Sequence, residues 1–279
     1  MPSRKLTRLL TTPLARPLVP AVEYRASAVV PFPSQLYDGL GDYWIGSDLT
    51  RLFTDSAETT NVAANGDPIG SWKGQLDAFS IRQSTTGSKP LWVAADNSVD
   101  LQYLKSMVDL IGGNIAVANE PFSLFVYAKL TDYAYGSSGD DLAYVLDTSG
   151  YPTAVVSTGG YGGGSAQGHA LGMKANGYLS WNGAVLYGGS SPDQTSYRAI
   201  TYSRSDSAST RGVWGHNYKP MSDDPDNFGI YTPRNSNSIG LYGEVGFGHK
   251  RRIKMIAAGR VALSSDDIAN LIAYAESLP

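Results

Sequence analysis

Three aspartates in one short segment are the clearest candidate metal ligands in this sequence of 279 residues. Asp223, Asp224 and Asp226 surround Pro225 and precede Asn227. Calcium binds several carboxylate and carbonyl oxygens, and closely spaced aspartates in a turn supply them. The spacing is not that of an EF-hand, and a solvated acidic turn explains the same residues. Calcium binding and a surface turn are therefore both open interpretations of this segment.

Aromatic side chains are the candidate ligand-binding residues, because a flat ring can stack on the apolar C–H face of a sugar. Trp181, Tyr187, Trp214 and Tyr218 lie in or beside the loop-rich second half of the chain. The competing interpretation is packing in the core or between sheets. These four residues are the candidate glycan-binding group.

Signatures of catalysis are absent from the linear sequence. The chain lacks the G-x-S-x-G nucleophile elbow, the H-E-x-x-H zinc motif and the phosphate-binding loop. It has no cysteine, which excludes disulfides and thiolate nucleophiles. The histidines, His169, His216 and His249, are far apart in sequence. A Ser-His-Asp triad could still assemble in space, but a satisfied hydrogen bond in a strand or turn explains each histidine more simply.

Charge is divided unevenly along the chain. Residues 1–34 carry five basic residues and one acidic residue, whereas the remainder carries 17 basic and 24 acidic residues. The basic residues of the first segment have no interleaved aromatics, and the group Lys250, Arg251 and Arg252 is explained by a solvated strand start. We therefore expect no nucleic acid as partner. No run of about 18 apolar residues occurs, so we expect no membrane insertion.

The first 34 residues differ from the rest in composition. They contain six prolines, which remove backbone donors and favour extended conformations. They are also too apolar for a solvated linker, so we predict an extended arm that docks on a partner protein. A targeting peptide and a nucleic-acid-binding tail are the alternatives. The residues that we expect to dock are Arg4, Leu6, Arg8, Leu9, Leu10, Leu14, Arg16, Leu18 and Val19.

From residue 35 onward, the pattern predicts β-structure. Glycine and tyrosine are abundant, with 31 and 18 residues, and short strand-like runs recur between turn signals. Residues 121–130 form the clearest strand-like run, and residues 252–263 form another. Asn176-Gly177 and Asn182-Gly183 predict tight hairpins, because both residue types tolerate positive φ. Many short strands of this kind indicate a sandwich or a barrel.

A helix is predicted at the end of the chain. Ser264 can cap its amino terminus, and Asp267 stands three residues later. Ile268, Leu271, Ile272 and Ala275 share one face at helical spacing. We expect this helix to seal an edge or end of the sandwich.

Residues 36–75, LYDGLGDYWIGSDLTRLFTDSAETTNVAANGDPIGSWKGQ, resemble a segment of bacteriophage virion proteins. In that family an acidic, Tyr/Trp-rich start is followed by Asp-Leu-(Ser/Thr)-x-Leu-Phe-x-Asp-Ser-Ala-x-Thr-Thr and Gly-Asp-Pro-(Val/Ile)-Gly. The chain departs from the family where a Ser-Gly-Asn-Gly-Asn-His element is replaced by residues 74–79. The matching residues are Trp44, Ser47, Asp48, Leu49, Leu52, Phe53, Asp55, Ser56, Ala57, Thr59, Thr60, Gly66, Asp67, Pro68, Ile69 and Gly70.

The resemblance implies an all-β fold: a concanavalin A-like, laminin-G-type jelly-roll β-sandwich with an extended N-terminal arm and a short C-terminal helix. Residues 1–34 would be the docking arm and residues 35–279 the jelly-roll domain. The implied role is a virion structural protein of the tail, a fibre or the capsid surface, assembled in the host cytoplasm. Its partners would be other virion proteins and sister copies in a homo-oligomer, with a host-surface glycan as candidate ligand.

The resemblance also bears on catalysis, because the jelly-roll superfamily includes β-glucanases with an E-x-D-x-x-E strand motif. None of the five glutamates lies in that spacing. We therefore expect that the protein is not an enzyme. A free-standing carbohydrate-binding module and a glycan-degrading enzyme are the alternatives to the virion role.

Overall fold

A computed structural model describes most of the first half of the chain, the central strands and the C-terminal helix. The ranges are 31–101, 105–107, 109–115, 120–132, 142–147, 170–174, 179–181, 184–185, 196–204, 211–214, 241–242 and 250–279.

Antiparallel strands dominate the described residues. Short 3₁₀ helices occur at Ser34–Leu36, Leu49–Arg51 and Thr86–Ser88, and one α-helix, α1, occupies Ser265–Ser277. The strands are β1 (Gly41–Ile45), β2 (Leu52–Phe53), β3 (Ser71–Lys73), β4 (Ser80–Arg82), β5 (Leu91–Val93), β6 (Ser98–Leu101), β7 (Ser106–Met107), β8 (Asp109–Ile111), β9 (Phe122–Asp132), β10 (Leu142–Asp147), β11 (Ala170–Lys174), β12 (Leu179–Trp181), β13 (Ala184–Val185), β14 (Arg198–Arg204), β15 (Arg211–Trp214), β16 (Leu241–Tyr242) and β17 (Lys250–Gly259).

The largest sheet has the order β15-β14-β9-β17-β6-β5, and β1 also pairs with β17. Its centre is the long pair β9 and β17, in which Val126 lies opposite Ile256. Successive side chains of a strand point to opposite faces. Both faces of β9 are covered, which explains why residues 122–128, all apolar except Ser123, form an uninterrupted buried run.

One face of this sheet packs on the sheet β2-β3-β4-β8. Leu124 and Val126 of β9 contribute to this core, together with Trp44 of β1 and Trp72 of β3, both fully buried. A further four-stranded sheet, β10-β11-β12-β13, is a meander. The two packed sheets therefore enclose an apolar layer, as in a β-sandwich.

The opposite face of the largest sheet is covered by α1. Phe125 and Tyr127 of β9 point into this second cluster, alternating with the first. Each buried aliphatic side chain of the helix contributes on the order of 2 kcal/mol by leaving water. The helix residues that pack here are Ile268, Leu271, Ile272 and Ala275.

A capping box begins α1. The Ser264 side chain accepts a hydrogen bond from the backbone N–H of Asp267, and the Asp267 carboxylate accepts one from the backbone N–H of Ser264, at 2.9 Å. Two of the helix's unpaired amino-terminal donors are thereby satisfied. The predicted helix, its cap and its apolar face are confirmed.

The predicted all-β jelly-roll sandwich with a short C-terminal helix is also confirmed. The strand expected at residues 121–130 is β9, and the one expected at 252–263 is β17, which begins and ends a few residues earlier. The strands on either side of Asn176-Gly177 and Asn182-Gly183 pair antiparallel, as the hairpin signals predict. In the described part of the chain, no helix is long and apolar enough to cross a membrane.

The division into an arm of residues 1–34 and a domain of residues 35–279 stays a prediction. All the arm residues predicted to dock lie outside the described residues. The end of the predicted arm does contact the domain, because Phe32 packs against the cluster that includes α1.

Candidate functional site

The site begins with a buried aspartate that shapes a turn. Asp42 of β1 is fully buried, and its carboxylate accepts hydrogen bonds from the backbone N–H groups of Tyr43, Leu76, Ala78 and Phe79, at 2.8–3.0 Å. The carboxylate therefore holds the turn between β3 and β4 against β1. Burial raises the pKa of Asp42, and the four N–H donors oppose this shift.

Gly74 is required at the start of this turn. A Cβ atom at position 74 would overlap the carboxylate of Asp42. The next residue continues the attachment to β1, since the Gln75 N–H donates to the Tyr43 carbonyl at 2.9 Å. The turn is thus fixed in one position, and so are the side chains that it displays.

Five polar side chains around this turn form a surface that we call the polar rim. Asp77 pairs with Arg51 and with Lys73, whose Nζ lies 2.8 Å from its carboxylate. Gln75 donates to Asp48 at 2.9 Å. The rim therefore consists of Asp48, Arg51, Lys73, Gln75 and Asp77.

Both carboxylates of the polar rim are ionised over the neutral and mildly acidic range. Hydrogen bonds from Arg51 and then Lys73 lower the pKa of Asp77 to about 2. For Asp48, burial raises the pKa, but hydrogen bonds from Thr50 and Gln75 outweigh it and the net pKa is lowered. These groups are suited to accept hydrogen bonds, and neither is suited to donate a proton to a leaving group.

An aromatic cluster borders the polar rim, and we call it the aromatic anchor. Phe32 stacks on Tyr43, with ring centroids 3.5 Å apart, and meets Tyr274 of α1 edge-on at 5.1 Å. Tyr37 lies 6.2 Å from Phe32. Burial raises the pKa of Tyr274 to about 12 and that of Tyr43 above its ordinary value, so both phenols remain protonated donors.

The other acidic residues of the phage-like segment build loops. Asp55 accepts from the backbone N–H groups of Ala57, Thr59 and Thr60. Asp67 accepts from those of Ala63 and Ala64, at 2.9 and 2.8 Å. Both carboxylates thus accept hydrogen bonds from backbone N–H groups that have no strand or helix partner in these loops, as in Asx-type turns.

The residues predicted from sequence as sites are not brought together by the described structure. Trp181 belongs to β12 and Trp214 to β15, which lie in different sheets. Tyr187 and Tyr218 lie outside the described residues, as do the side chains of both tryptophans. The glycan-binding role of these four residues stays a prediction.

The predicted calcium ligands Asp223, Asp224 and Asp226 also lie outside the described residues. Within the described ranges, no group of three or more His, Asp or Glu side chains could hold a metal ion.

Sequence reasoning missed the polar rim, although one signal pointed to it. Gln75 and Asp77 fall in residues 74–79, where the chain departs from the phage-like pattern. The pairing of these residues with Asp48 and Arg51 joins positions 26 or more residues apart, which linear motifs do not reveal.

Comparison with known proteins gives similarity of fold. No family model matches the sequence, and no curated protein matches it. Among solved structures, an α-L-arabinofuranosidase matches with a TM-score of 0.51 at 11% identity, over 76% of this chain and 51% of that one. A Trypanosoma rangeli sialidase mutant with trans-sialidase activity matches with a TM-score of 0.49 at 13% identity, over 88% and 34%.

The binding domain of botulinum neurotoxin serotype G is a further match, with a TM-score of 0.44 at 10% identity, over 69% of this chain and 47% of that one. The chain thus spans between a third and about half of the length of these structures. At such identities the similarity shows the fold alone.

The expectation that the protein is not an enzyme is contradicted by this comparison, because a glycosidase, the α-L-arabinofuranosidase, is among the structures that share the fold. The expectation depended on the spacing of glutamates in a single strand. A glycosidase needs two carboxyl groups at a set distance in space, and strands that are distant in sequence can provide them. The absence of the linear motif therefore excludes no glycosidase.

Proposed function

We propose that this β-sandwich recognises glycans and that the polar rim is its binding surface. The observation that carries the proposal is the fixed array of donors and acceptors around the turn between β3 and β4. The Asp77 side chain is 56% exposed, yet Arg51 and Lys73 hold it in place. A surface that is ordered before binding loses little conformational entropy when a ligand arrives.

The chemistry of the polar rim matches that of a sugar. Neighbouring hydroxyl groups each donate and accept hydrogen bonds. Asp48 and Asp77 offer ionised acceptors, while Arg51, Lys73 and Gln75 offer donors beside them. Hydrogen bonds to charged groups are stronger than those between neutral groups. The fold supports the proposal, since a glycosidase of the arabinofuranosidase class has a similar one.

A second proposal concerns the assembly to which the protein belongs. We propose that it is a virion component whose residues 1–34 dock on other virion proteins or on sister copies, with the sandwich displayed outward as a homo-oligomer. The phage-like residues 36–70 and the proline-rich, basic composition of the arm support this role. Phe32 supports it as well. Its contacts with Tyr43 of β1 and Tyr274 of α1 would attach the arm to the sandwich when the arm is bound to a partner.

A glycan array probed with the full chain tests the proposed recognition. We expect binding to a defined set of surface polysaccharides. Release of reducing ends from the bound glycans would show that the protein also hydrolyses them. A chain that is folded by circular dichroism and binds no glycan on a broad bacterial array would contradict the proposal.

A further inference from the structure

The ring of Phe32 covers one face of Tyr43 at the border of the polar rim. The ring centroids are 3.5 Å apart and the ring planes differ by 16°, so the two rings overlap face to face. Aromatic pairs prefer offset or edge-to-face arrangements, because ring faces carry negative charge density and repel each other. The C–H groups of a sugar present positive charge density, so they suit the face of Tyr43 better than the Phe32 ring does.

Phe32 is attached to the sandwich by apolar contacts rather than by hydrogen bonds of its own segment. Within the described part of the chain, the hydrogen bonds of residues 31–36 join only residues of this segment and Tyr37, which follows it. Two of the six residues are prolines, which have no N–H group to donate. Tyr37 is fully buried, and its hydroxyl lies 3.3 Å from that of Ser123. Displacement of the Phe32 ring would therefore break no described hydrogen bond, and Tyr37 would still hold the segment on the sandwich.

Three observations place Tyr43 beside the polar rim. Its carbonyl accepts a hydrogen bond from the Gln75 N–H at 2.9 Å. Leu76, the next residue of the turn, packs against the same apolar cluster as Tyr43. Burial is the main cause of the raised pKa of Tyr43 and of that of Tyr274, and the charge of Asp48 contributes to both shifts. A sugar stacked on Tyr43 would therefore lie next to the hydrogen-bonding groups of the rim.

The space that Phe32 fills is a slot that opens to solvent. Phe32 is partly exposed, and so are Tyr43 and Tyr274, which border it. Tyr43 lies flat against the Phe32 ring, whereas Tyr274 meets it edge-on with the ring centroids 5.1 Å apart. Tyr43 thus forms the floor of the slot and Tyr274 one wall. With the Phe32 ring displaced, the slot would offer an aromatic floor close to the ionised carboxylate of Asp48.

We propose that Tyr43 is the sugar-stacking position of the glycan-binding surface and that the Phe32 ring occupies this position until a glycan displaces it. This inference rests on the proposed function and names the apolar half of the same site. The polar rim binds hydroxyl groups, and Tyr43 takes a pyranose with an uninterrupted C–H face, such as a β-galactosyl unit. Since a sugar stacks only on molecules in which Phe32 is displaced, the seated ring lowers the apparent affinity of the full chain.

Binding of the full chain and of its Phe32→Ala variant to a bacterial glycan array tests the proposal, followed by titration of the glycan with the strongest signal. We expect Phe32→Ala to bind about tenfold more tightly, since an aromatic pair contributes up to about a tenfold factor to an equilibrium. Phe32→Leu, which keeps an apolar side chain without a ring, should change the affinity in the same direction. Phe32→Ala combined with Tyr43→Leu should lose the gain, because the stacking face is removed.

Phe53→Ala is the matched control, since it removes a partly buried phenylalanine of β2 that lies outside the aromatic anchor. This variant should bind like the wild type. The proposal would be overturned if Phe32→Ala bound no more tightly than the wild type. An equal gain in Phe53→Ala, or a gain that persists when Tyr43→Leu is added, would also overturn it.

The same measurements separate this inference from the proposed function. Binding that is weakened by Gln75→Ala and unaffected by Phe32→Ala would overturn the inference and leave glycan recognition by the polar rim intact. Absence of binding by every chain on the array would contradict both. Urea unfolding of each variant confirms that the native fold is present at the temperature of the titration.

Discussion

Asp42 is the residue on which the geometry of the polar rim depends. Its buried carboxylate accepts four backbone hydrogen bonds, three of them from the turn that presents Gln75 and Asp77. A carboxylate can accept at all of its lone pairs, whereas an amide group has only one acceptor oxygen. The charge at position 42 therefore has a structural role, although it lies beside a candidate binding surface.

Asp42→Asn should lower the free energy of unfolding by about 2–3 kcal/mol, since some N–H donors would lose their acceptor while the cost of a buried charge would be relieved. Urea unfolding measures the change. Asp38→Asn, at an exposed position four residues earlier, is the control and should be nearly neutral. Equal stability of the two variants would show that the carboxylate does not hold the turn.

Asp77 should make stability depend on pH in a defined window. Its pKa is lowered from 3.8 to about 2 in the folded protein, so its ion pairs stabilise the fold above pH 3.8 and lose this effect as the pH falls towards 2. The difference in unfolding temperature between the wild type and Asp77→Asn should accordingly shrink between pH 4 and pH 2. A difference that stays constant over this range would contradict the assignment.

At the scale of elements, the strands and helices with strong local patterns could be predicted from sequence, whereas those held by long-range hydrogen bonds could not. The run Phe122 to Ala128 is apolar except for Ser123. The end of the chain carries a cap and an amphipathic helix, so β9 and α1 are evident from the sequence. By contrast, β2 to β5 have two or three residues each and are separated by turns. Their positions depend on contacts such as that of Asp42 with Phe79, which no local pattern encodes.

The C-terminal helix offers a direct test of element stability. Ser264→Ala should lower the free energy of unfolding by about 1 kcal/mol, because it removes the side-chain acceptor of the capping box. Ser265→Ala, one residue later and exposed, should change it by less than about 0.5 kcal/mol. If both variants unfold at the same urea concentration, the cap makes no contribution in solution.

At the scale of the whole molecule, Phe32 joins the predicted arm to the domain. Its ring lies between Tyr43 of β1 and Tyr274 of α1, so it connects the sheet with the helix that covers it. The sequence predicted a boundary after residue 34 on composition alone. Composition could not reveal that Phe32 packs with the domain, because Tyr43 and Tyr274, which its ring contacts on β1 and α1, are 11 and 242 residues away.

Two truncations separate docking by the arm from stabilisation by Phe32. Removal of residues 1–30 should leave the unfolding temperature almost unchanged, whereas removal of residues 1–34 should lower stability by a further ~2 kcal/mol, since a partly buried aromatic ring is lost. Neither truncated chain should co-sediment with virus particles, unlike the full chain. Co-sedimentation of the shorter chains would show that the arm is dispensable for attachment.

The proposed glycan recognition by the polar rim is tested most directly by the affinity for a glycan selected on the array, measured by calorimetry. Gln75→Ala should weaken binding about fivefold, as expected for one hydrogen bond, because Gln75 is fixed by Asp48 within the rim. Gln35→Ala changes an exposed glutamine outside the rim and should bind like the wild type. Equal affinities of the two variants would contradict a binding surface at the polar rim.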